Sequence, residues 1–131
     1  MVQPIHVAMR RFSLSLIMLL VVSCGKKVLS VDDAEKPAVF TLNAPVNVTA
    51  VELEVSGLLS GPAQLYLFRP QDNQTPWKTL EFVPVVVSGI PMGITPIRFH
   101  EKYAEPQLIL KYEPGRKTQG HLEIQYRFKS R

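Results

Sequence analysis

The feature that most constrains the fold is an alternation of apolar and polar residues with period two, which recurs from residue 38 to the end of the chain. It is clearest near the C-terminus, where every second residue is apolar: Leu122, Ile124, Tyr126 and Phe128. Successive side chains of a β-strand point to opposite faces of the sheet, so this pattern is typical of strands with one buried face. No segment has a clear helical period. We therefore expect an all-β fold.

Turn-forming residues divide the alternating segments into short strands. The chain has eleven prolines and seven glycines, and they separate strands at intervals of roughly ten residues, as in many sandwich domains. This spacing favours a small antiparallel β-sandwich over residues 38–131, of the immunoglobulin-like, transthyretin-like or jelly-roll type. A small β-barrel is the alternative, and the pattern leaves the order of the strands open.

Two neighbouring segments depart from the alternation. The three consecutive valines at residues 85–87 predict a short buried strand. Residues 88–96 (SGIPMGITP) contain two glycines and two prolines, which argue against regular structure there. Ile90 and Met92 are nevertheless apolar, so we expect this loop either to cover the open end of the sandwich or to offer both side chains to a partner or a membrane.

The start of the chain has a different pattern. Arg10 and Arg11 precede an apolar run over residues 12–22, which ends at Ser23 and the only cysteine, Cys24. A bilayer-spanning helix needs about 20 apolar residues, so this shorter run fits the core of a signal peptide better. Met9 begins the basic segment directly, so a start at Met9 is the alternative to a start at Met1.

Residues 21–24, Val-Val-Ser-Cys, resemble the lipobox of bacterial lipoproteins, although leucine is more typical than valine at its first position. The resemblance implies that lipoprotein signal peptidase removes residues 1–23 and that the Cys24 thiol carries a diacylglyceryl group, the only cofactor-like group expected. Acyl chains contribute about 0.8 kcal/mol per buried CH₂, and two chains hold a protein stably on a membrane. Cleavage after Gly25 by ordinary signal peptidase is the alternative.

Residues 24–37 are polar, charged and without a period, and we expect them to form a flexible tether between the lipid and the sandwich. Their acidic residues lack the spacing of a calcium loop, so no metal site is predicted. In the lipoprotein resemblance, Gly25 differs from the aspartate that typically retains such proteins in the inner membrane. The resemblance therefore implies the outer membrane of a diderm bacterium.

Charge and chemistry narrow the function further. The signal contains two of the 15 Lys and Arg residues, so the remaining 13 face 11 acidic residues, a balance that does not favour nucleic acid. Basic residues are more frequent from Arg98 onward; this indicates a solvated sheet face or, alternatively, contact with anionic headgroups or an acidic partner. Beyond the signal the only histidines are His100 and His121. We expect both at the surface, and we predict no enzymatic activity.

The sequence is therefore consistent with two functions. The first is a membrane-anchored envelope lipoprotein whose sandwich is a non-enzymatic interaction or structural accessory module, with candidate partner contacts at Trp77, Tyr66, Ile90 and Met92. The alternative is a carbohydrate-binding or substrate-capture module. In that case Trp77 would form an aromatic platform for a sugar ring together with three tyrosines, Tyr66, Tyr103 and Tyr112. Ordinary packing of Trp77 in the core or at its rim would exclude the platform.

Overall fold

A computed structural model describes residues 26–131, except for the side chains of Pro91 and Met92. The expected signal peptide and Cys24 lie outside this range. The described part contains no helix, and so none long and apolar enough to cross a membrane. It contains ten strands: β1 Lys27–Val31, β2 Ala38–Asn43, β3 Val48–Leu59, β4 Ala63–Phe68, β5 Lys78–Phe82, β6 Pro84–Val87, β7 Ile90–Ile94, β8 Ile97–Lys102, β9 Gln107–Pro114 and β10 Gly120–Ser130.

Eight of the strands form two four-stranded antiparallel sheets. The first sheet has the order β1-β10-β3-β8, and the second has the order β2-β9-β4-β5. Strands β6 and β7 pair only with each other, as a separate hairpin. The structure therefore confirms the all-β antiparallel sandwich expected from the sequence.

The core lies between the two sheets and is filled by alternate residues of their strands. Val55 and Ile124 of the first sheet are fully buried, as are Leu65 and Leu110 of the second. Burying one such aliphatic side chain contributes about 1.5 to 3 kcal/mol. The inward row predicted for the last strand is buried at Leu122 and Ile124 and half-buried at Tyr126 and Phe128.

The segment expected to be a flexible tether is part of the fold, which corrects the predicted boundary at residue 38. Strand β1 pairs antiparallel with β10 from Lys27↔Tyr126 to Val31↔Leu122. The turn that follows is also fixed, because Ala34 is fully buried and its N–H donates to the Gly120 carbonyl. The sandwich therefore begins at Lys27.

The strand directions define two ends of the sandwich. Strand β1 runs toward the end where Leu59 pairs with Gly120 and where the β6–β7 hairpin follows β5. We call this the hairpin end. Lys26 therefore lies toward the opposite end, where Ala50 pairs with both Lys102 and Lys129. We call that end the entry end, because the chain enters the fold from its side.

Candidate interaction surface

The β6–β7 hairpin is built around a two-residue turn. Val87 pairs with Ile90, and between them Ser88 and Gly89 both have positive φ, at 51° and 78°. Two consecutive positive φ angles are typical of a type I′ turn, whose twist matches that of paired strands. The expectation that residues 88–96 would lack regular structure was therefore wrong, since Ile90–Ile94 forms β7.

The valines of this hairpin face solvent. Val86 and Val87 are each 54% exposed, and Ile90 is 62% exposed. The prediction of a buried strand at residues 85–87 was wrong, because β6 pairs with β7 outside the two sheets instead of entering the core. A cluster of exposed aliphatic residues on a short hairpin is an apolar patch of the kind that marks interaction sites. Ile90 was a predicted contact residue and belongs to it.

No charged residue occurs between Glu81 and Arg98 in the sequence. The hairpin patch, which we define as Val83, Val85, Val86, Val87 and Ile90, is therefore exposed and uncharged. Met92, the other residue predicted to make contact here, lies in β7, and its side chain is outside the described part of the structure.

One glycine lets the hairpin approach the first sheet closely. Gly93 has φ 106°, and a Cβ added there would stand 3.0 Å from the carbonyl oxygen of Gly57 in β3. Next to it, Ile94 is 7% exposed and belongs to the hydrophobic core. The base of the hairpin is thus packed on the sandwich, while its turn and valines project from the hairpin end.

Trp77 is half-buried at the entry end and packs against the core. Its ring centroid lies 5.0 Å from that of Tyr103 and 5.8 Å from that of Phe99, which meets it edge-on. Two cations complete its surroundings: the Arg69 guanidinium carbon at 5.7 Å and Lys78 Nζ at 5.9 Å from the ring centroid. Trp77 thus lies at the rim of the core, and other side chains surround its indole ring.

The other tyrosines of the expected platform lie elsewhere. Tyr112 is fully buried in the core, and Tyr103 is only 4% exposed. Tyr66 lies on the outer side of the second sheet, where its ring neighbours Phe68. Because the four aromatic residues do not share one exposed surface, the described geometry does not form the sugar platform that the sequence suggested.

Charged residues converge on the outer face of the first sheet. Glu52 Oε2 accepts a hydrogen bond from Arg127 Nη2 at 2.8 Å, and its Oε1 lies 2.9 Å from Lys129 Nζ. The hydrogen bond from Lys129, and that from Arg127, lower the pKa of the Glu52 carboxyl despite some desolvation. His100 Nε2 stands 4.0 Å from the same carboxylate. Glu52 is therefore the acidic centre of a mainly basic surface.

Both histidines are exposed, as expected. No group of three or more His, Cys, Asp or Glu side chains within residues 26–131 could hold a metal ion. The lipid attachment predicted at Cys24 lies outside these residues and stays a prediction.

The hairpin was the surface feature that sequence reasoning misjudged. The dipeptide Ser88-Gly89 between two β-branched residues is a turn signal, and it could have located β6 and β7. Pro91 obscured it, because proline is normally excluded from strands unless they lie at an edge. A two-stranded hairpin consists only of edges, so the proline is tolerated.

Comparison with known proteins identifies no family for this chain. Neither a protein-family model nor a curated protein sequence matches this chain. Several solved structures are similar to it in fold. The pre-peptidase C-terminal domain of collagenase from Bacillus anthracis has 15% identity and a TM-score of 0.47, with 78% of this chain and 87% of that chain covered.

Two further structures resemble the chain at the same level. A protein described under Bacillus endospore appendages has 13% identity and a TM-score of 0.43, covering 81% of this chain and 86% of that one. A structure described under CBM4 structure and function has 10% identity and a TM-score of 0.37, covering 80% and 72%.

Proposed function

We propose that this protein is a lipid-anchored, non-enzymatic interaction module of a bacterial cell envelope, which binds a partner protein through its hairpin patch. The observation that carries the proposal is the exposed, uncharged β6–β7 hairpin at the end of the sandwich opposite the side from which the chain enters. The lipid would be attached to Cys24, in the outer membrane of a diderm bacterium.

The anchoring half of the proposal is supported by the sequence preceding the fold. A basic pair, a short apolar run and a small residue precede the single cysteine, in the order that a lipoprotein signal requires. Cys24 is two residues before the first described residue, Lys26. A lipid at this position would not disturb the sandwich, because the first strand begins only at Lys27.

The binding half is supported by the physical properties of the hairpin. Strand β6 has β7 as its only paired neighbour among the described strands, so its other edge offers unpaired backbone groups. Such groups are costly in hydrocarbon but are satisfied when another protein adds a strand. The hairpin also lies at the end opposite to that of Lys26. We therefore favour an extended apolar segment of a partner protein over lipid as the occupant.

The anchor is tested by the intact mass of the protein extracted from its native membrane, beside a Cys24→Ser variant. A chain that starts at residue 24 and carries added acyl mass, absent from the variant, is the expected result. An unmodified chain that starts at residue 26 would overturn the anchoring half and leave a secreted sandwich.

The hairpin patch is tested by a photo-reactive residue placed at Val86 and, as a matched control, at Val39. Val39 is also an exposed valine on a strand, but it belongs to β2 of the second sheet. We expect a defined cross-linked protein from position 86 and none from position 39. The purified partner should then bind the wild-type chain and Val39→Asp, but not Val86→Asp. Equal binding of both variants would exclude the hairpin patch.

A further inference from the structure

The outer face of the first sheet carries a concentration of positive charge at the entry end. Residues that pair across β10, β3 and β8 bring Lys129 beside Ala50 and Lys102, and Arg127 beside Glu52 and His100. Lys26 lines the same depression as Arg127 and Arg98. We define the basic face by its five cations: Lys26, Arg98, Lys102, Arg127 and Lys129.

Acidic residues neutralise only part of this face. Glu52 faces Arg127 and Lys129, and Glu54 stands 3.8 Å from the Arg98 guanidinium. The five cations thus share two carboxylates. Because Lys26 and Lys102 are exposed, the surplus positive charge is accessible to a large, flat anionic surface.

The position of the basic face, in addition to its charge, indicates what it binds. Lys26 is the first described residue, two positions after the cysteine that would carry the lipid. Strand β1 runs from there toward the hairpin end, so the basic face and the point of chain entry lie at the same end of the sandwich. The hairpin patch lies at the other end.

We propose that the basic face binds the phosphate-bearing headgroups of anionic lipids in the membrane that holds the Cys24 lipid. This inference rests on the anchoring half of the proposed function. Each Lys or Arg near an anionic surface contributes to binding, and a basic patch beside an acyl anchor strengthens attachment. The contact would also hold the sandwich in one orientation, with the outer face of the first sheet toward the headgroups.

The test uses the chain from residue 24 with the substitution Cys24→Ser. This variant retains every described residue but carries no lipid. Its binding to vesicles therefore does not depend on acylation. Binding is measured by co-sedimentation with vesicles of phosphatidylcholine alone and with about one third phosphatidylglycerol, because charge-driven binding requires an anionic surface. We expect binding to the anionic vesicles only, and its loss in concentrated salt, which screens the attraction. No binding to the anionic vesicles would overturn the proposal.

The location is tested by charge reversals matched in net charge. Lys26→Glu with Lys102→Glu should weaken binding about tenfold or more, given the contribution of each cation near the surface. The control reverses two exposed cations toward the hairpin end, Lys36→Glu with Arg116→Glu, and should leave binding within about twofold. If both double variants lose vesicle binding equally, the effect comes from net charge alone, and the proposal that the basic face binds the membrane is wrong.

Two competitors separate lipid surfaces from other anions. Glycerol phosphate at constant ionic strength should not release the protein from the vesicles; release would identify a site for free phosphate instead. A soluble polyglutamate peptide that binds as tightly as the vesicles would assign the face to an acidic protein. If the native protein lacks acyl mass but the vesicle results hold, the anchor fails and the basic face stands.

Discussion

The hydroxyl of Tyr112 donates a hydrogen bond of 2.9 Å to the carbonyl oxygen of Ala34, and both residues are fully buried. Tyr112 belongs to β9 of the second sheet, whereas Ala34 lies in the turn after β1 of the first. This bond therefore joins the N-terminal segment to the opposite sheet. Burial also raises the pKa of the Tyr112 phenol to about 12, so the hydroxyl keeps its proton.

Replacing Tyr112 with Phe should leave the buried Ala34 carbonyl without its partner. We expect a loss of about 1 to 3 kcal/mol in the free energy of unfolding, the usual cost of an unsatisfied buried polar group. Urea denaturation measures it. Tyr66→Phe is the control, because the Tyr66 hydroxyl bonds to the side chain of Gln64 at a less buried position, and it should change stability by less than about 0.5 kcal/mol.

The buried tyrosines should also make the fold sensitive to alkali. Burial raises the pKa of Tyr103 and of Tyr112 to about 12, and it raises that of Tyr126 as well. Unfolded tyrosine ionises near pH 10, so the unfolded state loses protons first. Their contribution is complete below pH 10 and is lost as the pH rises toward 12. The urea midpoint should therefore fall between pH 10 and pH 12, and less steeply in Tyr112→Phe.

Glu52 should make the stability of the fold decrease as the pH falls. Its pKa is lowered from the ordinary 4.5 by the hydrogen bonds from Lys129 and Arg127, so its contribution is complete above pH 4.5 and is lost as the pH falls. The carboxylate is partly exposed, which limits the effect to about 0.5 to 1 kcal/mol. A double-mutant cycle of Glu52→Gln and Lys129→Met at pH 7 should give a coupling energy of this size. The coupling should shrink at pH 3.

Two glycines with positive φ should respond very differently to alanine. A Cβ at Gly120 would lie 1.9 Å from the carbonyl oxygen of Leu58, inside the β3–β10 ladder. A Cβ at Gly89, in the hairpin turn, would meet no atom within 4 Å. Gly89→Ala should therefore cost only the left-handed backbone energy, about 1 kcal/mol. Gly120→Ala should cost about 3 kcal/mol or more; similar thermal shifts would contradict the tight contact.

Truncation distinguishes a strand from a tether at the N-terminus. A chain that starts at Lys27 should keep its thermal stability, because all ten strands are present. A chain that starts at Asp32 lacks β1, which removes the buried Val31 and uncovers the edge of β10. It should unfold at lower temperature and associate through that edge. Equal stability of both chains would support the tether that the sequence suggested.

The central strands could be predicted because their partners impose a clear pattern. Leu122 and Ile124 are buried on one face and alternate with exposed residues on the other, which is the arrangement that period two encodes. Strand β1 could not be recognised in this way. It is five residues long and begins beside lysines, and its partner residues lie some 95 positions later in the chain. Only the pairing with β10 makes it a strand.

Of the residues that form the hairpin patch, only Ile90 could be predicted from the sequence. Ile90 was singled out because apolar residues in a segment rich in Gly and Pro need an explanation. The continuous valines of β6 predict a buried strand, since such apolar runs usually belong to buried strands. Nothing local distinguishes such a run from an exposed one. The difference comes from its partner, because β7 pairs with it outside both sheets.

The pairing of β1 with β10 also limits the distance between the sandwich and the membrane surface. Under the proposed anchoring, Cys24 is only three positions before the first paired residue, Lys27, and an extended chain covers about 3.5 Å per residue. The sandwich would then stand about 10 Å from the lipid attachment point. A domain on a long flexible linker can reach partners over a wide volume. This sandwich could not, because its connection to the lipid is short. The hairpin patch would be presented at one fixed distance above the bilayer, and a partner would have to present its own strand at that level.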